Sequence, residues 1–212
     1  MTVRLLIAGA GGFAREVAWL VDDINRTHPT WELVGFLDRE SGASLRGLPV
    51  VGIDGVGGLG ADAAITAVGD ARLRRRLVAE VETLGLPFPT LVHPSVHADV
   101  SLQLGAGTVV CAGNLLTVDI SVGAHVVVNL DCSIGHDTVI EDFVTLSPGC
   151  HLSGRTSIGR GAFLGTGVVT VEGKTIGREA IVGAGAVVVK DIPEGVTAVG
   201  VPAVPLGAPM DP

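Results

Sequence analysis

Tyrosine is absent from this 212-residue chain, and two tryptophans and five phenylalanines make only 3% of it aromatic although 47% is hydrophobic. An ordinary core takes much of its bulk from rings, so this apolar content must fill its space with small and branched side chains. Charge is also scarce at 17%, with 14 basic against 22 acidic residues and a net charge of −8. That sign disfavours a phosphate backbone or an anionic membrane as main partner, so no nucleic acid and no membrane is expected. The apolar fraction is too high for a disordered chain. No apolar run approaches the roughly 18 residues of a membrane span. The opening MTVRLLIAGAGG meets Arg15 and Glu16 after its glycine turn, where a leader would show small residues before a cleavage site, and reads as a first strand. Cysteine is sparse: Cys111, Cys132 and Cys150 show no CxxC spacing, which suits reduced thiols in a cytoplasm. Glycine, with 31 residues, is abundant.

The chain changes character near residue 90. Before it, VRLLIAG, WELVGFLD and AAITAVG read as strands, and FAREVAWLVDDINR and DARLRRRLVAEVETLG as amphipathic helices. Strands alternating with helices predict a small parallel α/β domain, Rossmann-like, over residues 1–90. From residue 91 to 212 the helical period vanishes and a period of six replaces it. Stepping by sixes from Ala98 to Val188, every position but Thr170 is apolar, and glycine often follows, as at Gly105, Gly135 and Gly165. Six residues make one short strand and a corner, and three strands close a triangular coil of 18. Stacked coils form a parallel β-helix whose narrow interior excludes rings, with the glycines expected to take the corner conformations.

These residues resemble a known family. IGHDTVIEDF, IGRGAFLGTGVV, IGREAIVGAGAVVVKDIP and VGVPA are similar to the hexapeptide-repeat acyltransferases, and GAGGFAREV, FLDR and VGDARLRRR narrow the likeness to sugar-nucleotide N-acetyltransferases of the bacillosamine-pathway type, close to sialic-acid O-acetyltransferases. The resemblance implies a left-handed β-helix, a homotrimer with active sites between subunits, and acetyl-CoA as co-substrate. Neither the handedness nor the trimer follows from the periodicity.

GAGGF joins a strand to a helix, so its amides can approach an anion, and a plain tight connection explains it as well. Asp38, at the end of the second strand, stands where a ribose or base contact or a simple strand-end acid would be. Gly11, Gly12, Phe13, Asp38, Arg39, Gly69 and Arg72 map onto the family's contacts to the nucleotide sugar. Phe13 and Arg39 replace a polar residue and an acid. The run Arg72, Arg74, Arg75, Arg76 reads more readily as a solvated helix face than as a phosphate clamp.

Of the histidines, His125, His136 and His151 fall at different phases of the hexad, so they do not stack as a zinc site would need within one chain, and no metal is expected. His136 matches the family's catalytic base. Acyl transfer to nitrogen needs a group that takes the amine's proton near neutral pH, which histidine does. Asp137 would orient His136 if a corner turned the two neighbours toward each other, and Asn129 supports the site in the family. One coil above His136 lies Gly154, whose N–H is a candidate oxyanion donor. Thr166 and Ala184 match the family's acetyl-CoA contacts and lie one coil apart, and Thr145 occupies the position where the family has a histidine that touches CoA. The expected function is acetyl-CoA-dependent N-acetylation of a nucleotide-linked amino sugar in the cytoplasm. A sugar O-acetyltransferase and a non-catalytic trimeric scaffold that binds a sugar nucleotide are the alternatives.

Overall fold

A computed structural model describes residues 2–39 and 41–206. The chain divides into two compact units, 1–94 and 95–212.

In the first unit, β1 (Val3–Ala8) runs parallel to β2 (Trp31–Leu37) on one side and β5 (Ala63–Thr66) on the other, with β3 (Ser44–Leu45) and β4 (Leu48–Val51) extending the β2 edge as a hairpin. Leu5, Leu6, Ile7 and Ala8 are wholly buried, as befits a central strand covered on both faces. Helix α1 (Gly12–Thr27) lays Ala14, Val17, Ala18 and Val21 inward at helical spacing. Helix α2 (Ala71–Glu82) starts at Asp70, whose carboxylate accepts the Leu73 N–H at 2.7 Å. The hairpin had no counterpart in the sequence reading. Its strands are too short to show a period, and its two-residue turn is Arg46–Gly47, both with positive φ.

The second unit is a parallel β-helix. Two-residue strands pair with the strand 18 residues on: Leu116 with Ile134 and then Leu152 on one face, Val122 with Ile140 and then Ile158 on the next, Val128 with Leu146 and then Leu164 on the third. All of these inward residues are buried, and no ring is among them. The final coil is two residues shorter, pairing Val182 with Ala198, and an antiparallel strand, Val204–Pro205, closes the stack.

The corners correct the reading of the glycines. The glycines that directly follow the inward residue do not take left-handed angles. At all of them but Gly183, which meets the Val199 side chain, the missing Cβ is needed because the next coil's backbone passes there: a Cβ on Gly105 would lie 2.5 Å from the Ala124 nitrogen. The left-handed corner comes two residues later. From Gly107 to Gly185 every sixth residue has φ between 54° and 78°, and half of these corners are side-chain-bearing: Asp119, His125, Asp131, Asp137, Phe143, Arg155 and Glu179.

Two substitutions separate these roles. Gly105→Ala, which forces a methyl into backbone, is expected to destabilise the unit by about 2 kcal/mol. Gly113→Asn, at a left-handed corner where a Cβ would make only ordinary van der Waals contact with Asp131, is expected to cost about 1 kcal/mol or less. Thermal unfolding of both variants measures the difference.

Candidate active site

The corner that follows the strand Ser133–Ile134 carries His136 and Asp137. Neighbours in a strand point apart, but Asp137 has φ of 57°, and this left-handed turn brings its carboxylate back to the preceding side chain. Asp137 Oδ2 lies 2.7 Å from His136 Nδ1. A carboxylate only accepts, so Nδ1 is the donor, and in the neutral ring the acceptor lone pair is then on Nε2. Both side chains are about half exposed.

Directly above sits Gly154. A Cβ there would meet His136 Nε2 at 2.5 Å, so the imidazole occupies the space a side chain would fill. At the equivalent phase, the Ala124 and Arg160 N–H groups are taken by Asp142 and Glu141, both at 2.8 Å. At Gly154 no acceptor among the described residues takes the N–H. That leaves an unengaged amide donor on the edge that holds the imidazole. Gly135 must also lack a side chain, because its Cβ would lie 2.5 Å from the Gly154 nitrogen. One more coil up, Glu172 reaches over Gly154 to place Oε1 3.8 Å from His136 Nε2, and the same oxygen takes Arg155 at 2.6 Å. Sequence reasoning passed over Glu172 and Arg155, although counting two coils from His136 leads to Glu172.

The other expected residues divide. Thr166 and Ala184 are exposed and adjoin on another edge, where Gly185 N–H donates to Thr166 O at 2.8 Å. Thr145 is not with them: it is 3% exposed and stands in a strand of a face. Asn129 lies on the edge of Thr166 and not on that of His136, and its carbonyl accepts the side chain of buried Asn114 at 2.9 Å. The same inner column continues through Cys132 and Cys150, both buried and unbridged. The hydrogen bond shared with Cys132, together with burial, pushes the Cys150 thiol up, which marks it as a packing residue. His125 stacks on Phe143 at 5.0 Å on the third edge. Among the described residues no cluster of three or more His, Cys, Asp or Glu is placed to hold a metal ion.

The first unit has its own cleft, about 430 Å³, lined by the turn Gly9–Phe13, by Asp38 and Arg39, by Val68 and Gly69, and by Leu73, Arg76, Leu77 and Glu80 of α2. Six of the seven expected substrate residues are here, and Arg76 lines the cleft where Arg72 does not. Asp38 Oδ2 accepts the Ala10 N–H at 3.0 Å, which ties the glycine turn to the end of β2. No acidic residue occupies the first turn of α1 and no side chain caps it, so its first amides remain available at the cleft. Arg39 and Glu80 pair loosely at 3.7 Å across the rim. The basic run is not uniformly solvated. Arg74 is wholly buried, donates to the carbonyls of Val68 and Gly69 at 2.6 and 3.0 Å, and is pulled down by burial to about 10, still charged at neutral pH. It fixes the loop that forms the cleft's far wall.

Comparison with known proteins places this geometry. Residues 4–81 match the model of the PglD N-terminal domain. A curated GDP-perosamine N-acetyltransferase of Escherichia coli O157:H7 is 30% identical over 107 residues, half of this chain, and the match spans about half, 48%, of that relative's length. Among solved structures, PerB from Caulobacter crescentus in complex with CoA and GDP-perosamine superposes with a TM-score of 0.87 and 32% identity over 96% of this chain and 97% of its own. The acetyltransferase domain of PglB from Neisseria gonorrhoeae, in complex with acetyl coenzyme A, gives 0.89 and 35% over 97% and 100%.

Gly154→Ala is a fold-sparing test of the edge, since the new methyl collides with the end of a side chain and not with backbone. The variant is expected to keep its melting temperature within a few degrees while the imidazole swings off Asp137. Turnover should fall by about a hundredfold, the cost of misplacing a reacting group by about 1 Å. A crystal structure of the variant and its kcat measure both.

Proposed function

The chain belongs to the hexapeptide-repeat sugar N-acetyltransferases, and from that premise we propose that it transfers the acetyl group of acetyl-CoA to the amino group of a nucleotide-linked amino sugar, with His136 as general base. The observation that carries the reading is the His136 edge, where a carboxylate-oriented imidazole with Nε2 as acceptor shares one prism edge with an unengaged backbone N–H at Gly154. GDP-perosamine, the sugar nucleotide bound in the PerB structure, is the first acceptor to offer.

The chemistry follows from these groups. The sugar nitrogen attacks the thioester carbon as a neutral amine, forming the C–N bond while the carbonyl electrons move to oxygen. The Gly154 N–H donates to that oxyanion. His136 Nε2 takes the proton that the nitrogen must lose, and Asp137 holds the resulting imidazolium. When the tetrahedral intermediate collapses, the C–S bond breaks and the imidazolium returns its proton to the thiolate, so that free CoA leaves as thiol. Thr166 and Ala184, exposed and stacked along the prism axis, suit an extended pantetheine arm. In the cleft of the N-terminal unit the helix amides and Arg76 suit the diphosphate of the nucleotide, and Asp38 suits its ribose or base.

Thr145, buried in a strand, fits a packing role better than a cofactor contact. Asn129 would reach a base only from another subunit, since it lies on a different edge from His136. A homotrimer with sites between subunits accommodates that, and Leu115, Val139 and Ile181, each about 45% exposed on a separate outer face, offer apolar surface for it. Among the described residues no helix is long and apolar enough to cross a membrane. With acetyl-CoA as donor, the cytoplasm is the compartment proposed.

With acetyl-CoA and GDP-perosamine, thiol release is expected to depend on the acceptor, and the product should survive mild base as an amide and not hydrolyse as an ester. His136→Ala is expected to lose about two to four decades of kcat with folding and CoA binding intact. Full activity in that variant would remove His136 from the mechanism.

A further inference from the structure

We propose that Glu172 is the group that receives the substrate's amino group, as an ammonium ion, beside His136. The proposal deepens the acetyltransferase reading and rests on it. Glu172 belongs to the coil two above His136, a span its side chain crosses because Gly154, on the coil between, has none. Its Oε1 stands 3.8 Å from His136 Nε2, the face of the ring left open by Asp137 on the opposite nitrogen. Arg155, itself at a left-handed corner, holds Glu172 at 2.6 Å and aims it along the edge. Glu172 is 48% exposed and His136 46% exposed, so an incoming sugar reaches both.

The charged side chains beside His136 on this edge are Asp137, Glu172 and Arg155, a sum of −1. Asp119 stands in the coil below, and Lys190 and Asp191 in the coil above. An amino sugar arrives near neutral pH chiefly as an ammonium ion, which offsets this negative charge and supplies hydrogens for a charge-assisted bond to a carboxylate. A hydroxyl acceptor brings no charge and gains much less. Glu172 therefore selects nitrogen over oxygen as acceptor, and it stands at Nε2, where the base acts, whereas Asp137 stands at Nδ1.

Proton accounting is consistent with this role. The bound ammonium gives its first proton to water at this half-exposed edge and becomes the amine. The second proton passes from nitrogen to His136 Nε2 as the C–N bond forms, and from there to the departing thiolate. Glu172 ends as it began, ionised and paired with Arg155.

Glu172→Gln keeps the shape and removes the charge. With GDP-perosamine, KM is expected to rise about tenfold to a hundredfold, the size of a lost charge-assisted bond, while kcat at saturation changes less than threefold. The rise should be greatest below the pKa of the substrate amine and should shrink above it, where the amine is neutral in solution. A merely structural role would give no such pH dependence. Glu172→Asp should recover part of the loss, and calorimetry without acetyl-CoA should show the glutamine variant binding GDP-perosamine no better than its hydroxyl counterpart. Wild-type KM and pH dependence in Glu172→Gln, with the wild type active, would overturn this proposal and leave the acetyltransferase reading standing. A wild type that acetylates no amino sugar nucleotide would overturn both.

Discussion

An 18-residue coil closes only if the backbone turns sharply three times, and in this chain the turn is made by one left-handed residue in every six. The interior that results is a thin prism with room for one branched side chain per strand, which is why the chain is apolar yet nearly without rings. Close stacking adds a second constraint, the missing Cβ at positions such as Gly105 and Gly135, where the next coil passes within van der Waals distance. Seven of the left-handed corners carry side chains and cost conformational energy that glycine would avoid. At one of them, Asp137, the turn sets the carboxylate against the His136 imidazole.

The site is a by-product of the stacking rule. Residues far apart in sequence share an edge when they are one or two coils apart, so His136, Gly154 and Glu172 line up along the prism axis. A left-handed φ at Asp137 then does what no strand geometry allows and turns adjacent side chains toward each other. The imidazole fills the place of the side chain that Gly154 lacks, which both positions the ring and lets Glu172 reach its far nitrogen. In the first unit the same economy operates through Arg74, a buried cation spent on two loop carbonyls that shape the cleft wall.

Much of this was legible in the sequence. The period of six gave the coil, the count of 18 placed Gly154 above His136 and Thr166 below Ala184, and GAGGF with Asp38 marked one side of the cleft. What was not legible has specific causes. The left-handed corner could not be located from glycine, because half of the corners are not glycine and the most regular glycines serve close approach. Arg74 looked like its neighbours because burial of one arginine in a run of basic residues depends on which helix face meets the sheet. The same packing decides that Arg76 and not Arg72 lines the cleft. Asn129 carried a family role that a single chain does not assemble, and Glu172 matters only because the residue between it and His136 has no side chain.

The central claim is that the Asp137 corner fixes the proton of His136 on Nδ1 and leaves Nε2 as the base. Nitrogen-15 chemical shifts of the imidazole, measured on labelled protein at a pH where the ring is neutral, report the tautomer directly. The account predicts a protonated Nδ1 and an unprotonated Nε2 in the wild type. A proton found on Nε2 would contradict it, since the nitrogen facing Gly154 and Glu172 could then accept nothing from a substrate amine.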